Sequence, residues 1–148
     1  HRFILYDAKP CSCGNFGCLE TLVAEPYLVA QARIHRDVSS FSDITTLAAQ
    51  GDDAMFQILE QSARYLGIAV ANLINTFSPE LILLGGVYTN HSNLLLPIIK
   101  EEVQNGVFAN ILDDVQITVA SPNAALIGAA TFALDQYFYH PTEAIGEL

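Results

Sequence analysis

The chain predicts an α/β layered fold, on three observations. A short apolar run at 80–84 follows the break Ser78-Pro79 and is closed by Gly85-Gly86. A second run at 115–120 alternates apolar and polar residues. Stretches of helical periodicity lie before, between and after these runs, so the second half reads β-α-β-α, the order of a layered sheet-and-helix lobe.

Taken in order, residues 3–5 read as part of a strand, and residues 19–36 as helical, with Leu22, Val23, Tyr27 and Ala30 on the apolar side. Pro26 has no amide hydrogen to give an interior helix bond, so two short helices are expected there. Ser42 is the expected cap of a helix running to residue 49 and terminated by Gly51. Asp52 or Asp53 opens the longest helix, which ends near residue 77. Its stripe of Met55, Leu59, Ser62, Leu66, Ala69, Leu73 and Phe77 repeats at three and four residues and reads as core. The run 80–84 fits a buried parallel strand. A helix follows at 94–105, a strand at 115–120 and a last helix at 124–139, whose Gly128, Ala129 and Ala130 leave room for close approach by another backbone or a ligand. With no repeat, low-complexity tract or linker, residues 1–148 form one lobe: a loop at 1–20, a helical segment at 21–77 and a β-α-β-α segment at 78–148.

The bulk numbers exclude some classes of function. Of 148 residues, 51% are hydrophobic, enough for a real core. Uninterrupted apolar runs such as 81–84 and 94–96 are far too short to cross a bilayer, and none is longer than four residues, so no membrane role is expected. Sixteen acidic against six basic side chains leave a formal charge of −10, which repels a phosphate backbone, so this segment is not expected to grip nucleic acid.

All three cysteines fall within eight residues, in CSCGNFGCLE at 11–20, with His1 ahead of them: H-x9-C-x-C-x4-C. Three thiolates and an imidazole make a favoured tetrahedral zinc set, so His1, Cys11, Cys13 and Cys18 are the candidate ligands. Protein fills all four positions, which makes the site structural and leaves no place for a hydrolytic water. Gly14 and Gly17 supply the backbone angles that a tightly wrapped loop demands. The competing reading is one disulfide plus a spare thiol, for which an odd cysteine count is a poor framework. A terminal histidine can also be a tag remnant. Thiolates used for metal point to a reducing compartment, with the cytoplasm as the default. A ligand at residue 1 and a strand with no partners lead us to expect a piece of a longer protein.

Gly85 and Gly86 stand at the carboxyl end of the first strand, where open α/β sheets take ligands; a plain turn needing permissive backbone angles is the alternative. There is no Walker lysine pattern and no G-x-G-x-x-G after a strand. Glu20, two residues beyond Cys18, is either a carboxylate held rigid to accept bonds from hydroxyls or a first-turn glutamate favoured by the helix dipole. His1 has two ring nitrogens, one for metal and one facing outward. His35, His91 and His140 read as surface or satisfied polar residues, and Asp52-Asp53 and Asp113-Asp114 as caps or turns. No nucleophile elbow, catalytic acid pair or general base is apparent, so no catalytic residue is assigned.

The segment CSCGNFGCLE with His1 ahead of it resembles the signature of the ROK family of repressors, open reading frames and sugar kinases. NLINTFSPELILLGG at 72–86 is similar to its helix-proline-strand-glycine segment, and ALIGAA at 125–130 to its C-terminal helix start, so the likeness covers nearly the whole chain. The resemblance implies the C-terminal lobe of an actin-like (ribonuclease H-like) sugar kinase fold with a zinc-binding loop. It implies zinc on His1, Cys11, Cys13 and Cys18, and sugar hydroxyls on Glu20 and His1. Gly85, Gly86 and Gly128 would lie near nucleotide in kinase members. The family's catalytic aspartate and phosphate loop precede the zinc motif and have no counterpart here. The expected partners are a sugar or sugar phosphate and further copies of the chain in a homo-oligomer.

Kinase members tend to carry three glycines after the strand, whereas Val87 follows Gly85-Gly86 here; a β-branched side chain crowds a nucleoside and disfavours positive φ. NFGCLET and N-x-F-S-P are closer to the family's repressors of N-acetylglucosamine and xylose metabolism. The preferred expectation is therefore a sugar-responsive transcriptional regulator that binds DNA through a preceding winged helix-turn-helix. The alternative is a glucokinase-like, ATP-dependent sugar kinase using ATP and magnesium, inactive as this piece. A third reading is a zinc-stabilised interaction module.

Overall fold

The computed structural model describes residues 9–89, 91–108, 115–121 and 123–139. The expected strand at 3–5, His1, Asp113-Asp114 and His140 lie outside the described residues.

The helical segment begins with α1 (Glu20–Val23) and α2 (Glu25–Ala32), separated by the extended residue Ala24. Pro26 sits in the first turn of α2, where its missing amide hydrogen is no loss. Next comes α3 (Phe41–Ala49). Its cap is Ser40, not Ser42: the Ser40 hydroxyl accepts from the Asp43 amide while the Asp43 carboxylate accepts from the Ser40 amide. This capping box satisfies two amides that the helix leaves unpaired, which a cap at Ser42, already inside the first turn, would not do. Asp52 caps α4 (Asp53–Phe77) by accepting from Ala54 and Met55, and Ser78, at φ 45°, ends it in the left-handed conformation.

Helix α4 is the spine of the molecule, packed against α1, α2, α3 and α5 (Ser92–Gly106). Met55, Leu59, Ser62 and Ile74 on it are essentially inaccessible, and each apolar side chain so buried contributes ~1.5–3 kcal/mol relative to an exposed one. The expected stripe holds through Ser62 and then drifts off the core: Leu73 and Phe77 are exposed, while Gly67, Val70, Ala71 and Ile74 are buried. A strict seven-residue spacing turns ~20° per heptad away from a fixed face of a straight α-helix, and twenty-five residues are long enough for that to matter. Where α4 crosses α5, Gly67 faces the Ile99 carbonyl and the Glu102 side chain. Arg64 ties the same crossing by pairing with Glu60 one turn back and with Glu102 on α5.

Strands β1 (Leu81–Leu84) and β2 (Gln116–Val119) run parallel in the register Leu81 to Gln116 and Leu84 to Val119, with α5 between them in sequence, so the β-α-β order is as expected. Helix α5 begins at Ser92, two residues earlier than its apolar pattern suggests. The expectation of a strand buried on both faces does not hold: Leu84 is buried, but Leu81 and Leu83, which alternate onto the opposite face, are exposed, and no described residue covers that face. The last helix, α6 (Ala124–Leu134), passes into a π-helical turn at Asp135–Tyr139 instead of continuing as α-helix to residue 139. It is apolar on every side, yet none of its residues is buried. A Cβ on Gly128 would meet no described atom within 4 Å, so the expected close approach at the small residues is not made among the described residues.

Candidate metal loop and glycine pocket

The cysteine loop is shaped by its backbone. The Cys11 amide donates to the Asn15 carbonyl (2.8 Å), the Gly14 amide to the Cys11 carbonyl (3.0 Å) and the Gly17 amide to the Lys9 carbonyl (3.2 Å), with Pro10 bridging Phe16. Two of the turns need positive φ, and glycine supplies both: Gly14 at 84° and Gly17 at 69°.

This fold gathers the three thiols. All three are free, their sulfurs lie within 4.8 Å of one another, and Cys13 and Cys18 are 3.5 Å apart. A disulfide would need ~2.05 Å. Zinc–sulfur bonds of ~2.3 Å in a tetrahedron place sulfurs ~3.8 Å apart, so the spacing fits a shared metal. The thiols differ in environment: burial pushes Cys18 up to about 12, whereas hydrogen bonds from the Asn15 amide and side chain bring the exposed Cys13 down to about 7. The fourth expected ligand, His1, is outside the described residues.

Glu20 opens α1 directly after the loop. The Ser12 hydroxyl donates to its Oε1 (3.1 Å), and the Ser12 amide donates to the Tyr27 hydroxyl (3.2 Å). A residue between two cysteines therefore holds the candidate sugar carboxylate, and an aromatic on α2 holds that residue. Neither Ser12 nor Tyr27 carries a local signal for this in the sequence, because the partners meet only once the loop folds back on α2.

At the carboxyl ends of both strands, Gly85, Gly86, Val87, Thr89, Ala120, Ser121, Ala124 and Ala125 line a cavity of about 420 Å³. Of the three glycines expected near nucleotide, Gly85 and Gly86 line it and Gly128, further along α6, does not. Positive φ falls on Gly86 (73°), which leads into a 3₁₀ turn at Gly86–Thr89. Val87 is thus spared backbone strain and sits half-buried against the core at the cavity wall. Ser121 comes from the β2–α6 connection and Ala124 and Ala125 from the first turn of α6, and no local pattern marks their meeting with Gly85. His91, expected to be satisfied, bonds the Thr45 hydroxyl (3.2 Å) and packs at a tilt against Phe41; His35 is exposed as expected.

A loop that gathers three thiols and leads into a carboxylate, with a parallel strand pair that carries a glycine pocket at its carboxyl end, defines a cysteine-loop α/β lobe. The chain belongs to the ROK family, whose model matches residues 1–136. It is 27% identical over 139 residues to the xylose repressor of Bacillus subtilis (strain 168), covering 93% of this chain and 36% of that protein. It is also 27% identical over 144 residues to the glucokinase of Halalkalibacterium halodurans, covering 86% of this chain and 44% of that protein. Among solved structures, a ROK family transcriptional regulator described as a homolog of the E. coli MLC protein superposes with a TM-score of 0.71 at 31% identity, over 89% of this chain and 38% of that one. The chain spans less than half the length of these relatives. Among the described residues no helix is long and apolar enough to cross a membrane.

Proposed function

We propose that this chain is the sugar-sensing lobe of a ROK transcriptional regulator, in which a zinc loop built by Cys11, Cys13 and Cys18, with His1 as fourth ligand, fixes Glu20 to accept sugar hydroxyls. The observation that carries the regulator assignment is Val87: it occupies the third position after β1, takes up room at the cavity wall and packs against the core, where a nucleotide-binding loop profits from a bare backbone. The likeness to a xylose repressor and to a solved ROK regulator supports it. When bound, zinc supplies a structural cross-link. Ser12 and Tyr27 orient the Glu20 carboxylate, and a rigid acceptor binds a neutral hydroxyl without first paying the ordering entropy. Sugar bound there shifts the regulator between DNA-holding and released forms in proportion to its differential affinity for them, and DNA is held by another part of the protein. Such a protein works in the cytoplasm, where thiolates stay reduced, and as a homo-oligomer.

The second reading is a sugar kinase. The 420 Å³ cavity beside Gly85 and Gly86 and the glucokinase relative favour it, and ATP with magnesium would then be required. Isothermal titration of the purified protein with xylose, N-acetylglucosamine and glucose, with and without a non-hydrolysable ATP analogue, separates the two. Sugar binding lost on zinc chelation, without analogue binding, is expected; binding of the analogue that Gly85→Val or Gly86→Val abolishes would favour the kinase.

A further inference from the structure

The Tyr88 side chain belongs to neither candidate site and touches the framework of both. It lies in the 3₁₀ turn Gly86–Thr89 that walls the glycine cavity, its ring is buried and packs at a tilt against Phe41 with centroids 5.6 Å apart, and its hydroxyl reaches across to α1. There it donates to the Val23 carbonyl at 2.9 Å. Val23 is the last residue of α1, so this carbonyl is one of those a helix end leaves without an internal partner. A tyrosine has one hydroxyl hydrogen, and Val23 takes it; the Ser62 hydroxyl on α4, 2.6 Å away, is therefore the donor to the Tyr88 oxygen. The chain Ser62 to Tyr88 to Val23 is buried and fully satisfied, and burial pushes the Tyr88 hydroxyl up to about 12, so it keeps its proton across the physiological range.

The helix on the receiving end has four residues and starts at Glu20, two residues past Cys18. A four-residue helix has almost no stability of its own, and its position is set by what holds its ends. One end is the cysteine loop; the other, where α1 runs into α2 and packs on α4, is also held by Tyr88. We infer that Tyr88 is a positioning residue that ties the metal loop and Glu20 to the wall of the glycine cavity, so that ordering one orders the other. This rests on the metal reading proposed above and adds to it a route of communication between the two places. Two sites that share an ordering cost are coupled, because the first ligand meets the cost for the second.

Zinc alone is the probe, and amide hydrogen–deuterium exchange with peptide resolution is the readout, on reduced protein stripped by chelator and then given one equivalent of metal. Expected is slower exchange at residues 86–89 as well as at 11–24, by about 2- to 10-fold in the turn, the range one net hydrogen bond supports. In Tyr88→Phe, which keeps the ring against Phe41, zinc should still bind and protect 11–18 but leave 86–89 unchanged. Ser62→Ala, which keeps the bond to Val23, should transmit as the native protein does. Zinc bound by the native protein with no change at 86–89 overturns the tie while leaving the metal site standing, and that arm stands whether or not a variant folds. Transmission undiminished in Tyr88→Phe assigns the coupling to other contacts and also overturns it. No stoichiometric uptake of zinc overturns the metal reading and the tie together.

Discussion

Gly67 on α4 faces Glu102 on α5 so closely that a Cβ added to the glycine would stand 2.6 Å from the glutamate Cβ and 2.9 Å from the Ile99 carbonyl oxygen. Both obstacles sit on or next to backbone and cannot swing aside. Gly67→Ala should therefore destabilise the fold by ~1–3 kcal/mol despite alanine's better helix propensity, because the two helices must move apart. Urea unfolding followed by circular dichroism measures it; a stabilised variant would mean that the helices cross at a greater distance.

The cap of α3 makes a sharp contrast between two serines. Ser40→Ala removes the acceptor for the Asp43 amide and should cost ~1 kcal/mol. Ser42→Ala, in the exposed first turn of α3, should stay within ~0.5 kcal/mol of the native protein. Thermal melts of the two variants side by side decide the matter, and equal losses would put the helix start elsewhere.

Asp43 also sets an acid limit. Hydrogen bonds from the Ser39 amide and hydroxyl and the Ser40 amide lower its carboxyl to about 2, against an ordinary value of 3.8. A depressed folded-state pKa contributes stability that is present above 3.8 and is lost as pH falls towards 2. Melting temperatures of the native protein should fall through that window, and Asp43→Asn, which cannot titrate, should show a shallower fall there while being less stable at neutral pH.

Each of Cys11→Ser, Cys13→Ser and Cys18→Ser should abolish stoichiometric zinc, since all three sulfurs meet at one point. Protons compete for the thiolates, and Cys18, at about 12 in the folded chain, must give up its proton to bind. Apparent zinc affinity should therefore rise with pH between 6 and 8, by ~10-fold per unit for each proton displaced. Competition with a chromophoric chelator at several pH values tests this, and a pH-independent affinity would exclude thiolate ligation.

Some of the molecule was plain in the sequence because the signals are local. Pro26 marks the split between α1 and α2, Asp52 and Ser78-Pro79 bracket α4, and Gly85-Gly86 close β1. Backbone sterics and side-chain caps decide such points within a few residues. The drift of Leu73 and Phe77 off the core was not legible in the same way, because it accumulates along a helix whose neighbours are far away in the chain. The spacing of the cysteines and the glycines among them indicated the loop, and the folded backbone brings the sulfurs together.

The sequence by itself determined the element order, the parallel β-α-β unit and the cysteine cluster, since each follows from residue type, turn chemistry and short-range period. Only the tertiary structure decided that Ser12 and Tyr27 hold Glu20. The same holds for Ser121 and Ala125, which close the cavity opened by Gly85, and for the Tyr88 hydroxyl, which ends on Val23, sixty-five residues away. Hydrogen bonds and cavity walls between distant segments depend on how the layers pack, and side-chain chemistry fixes which partners are acceptable without fixing which of them meet.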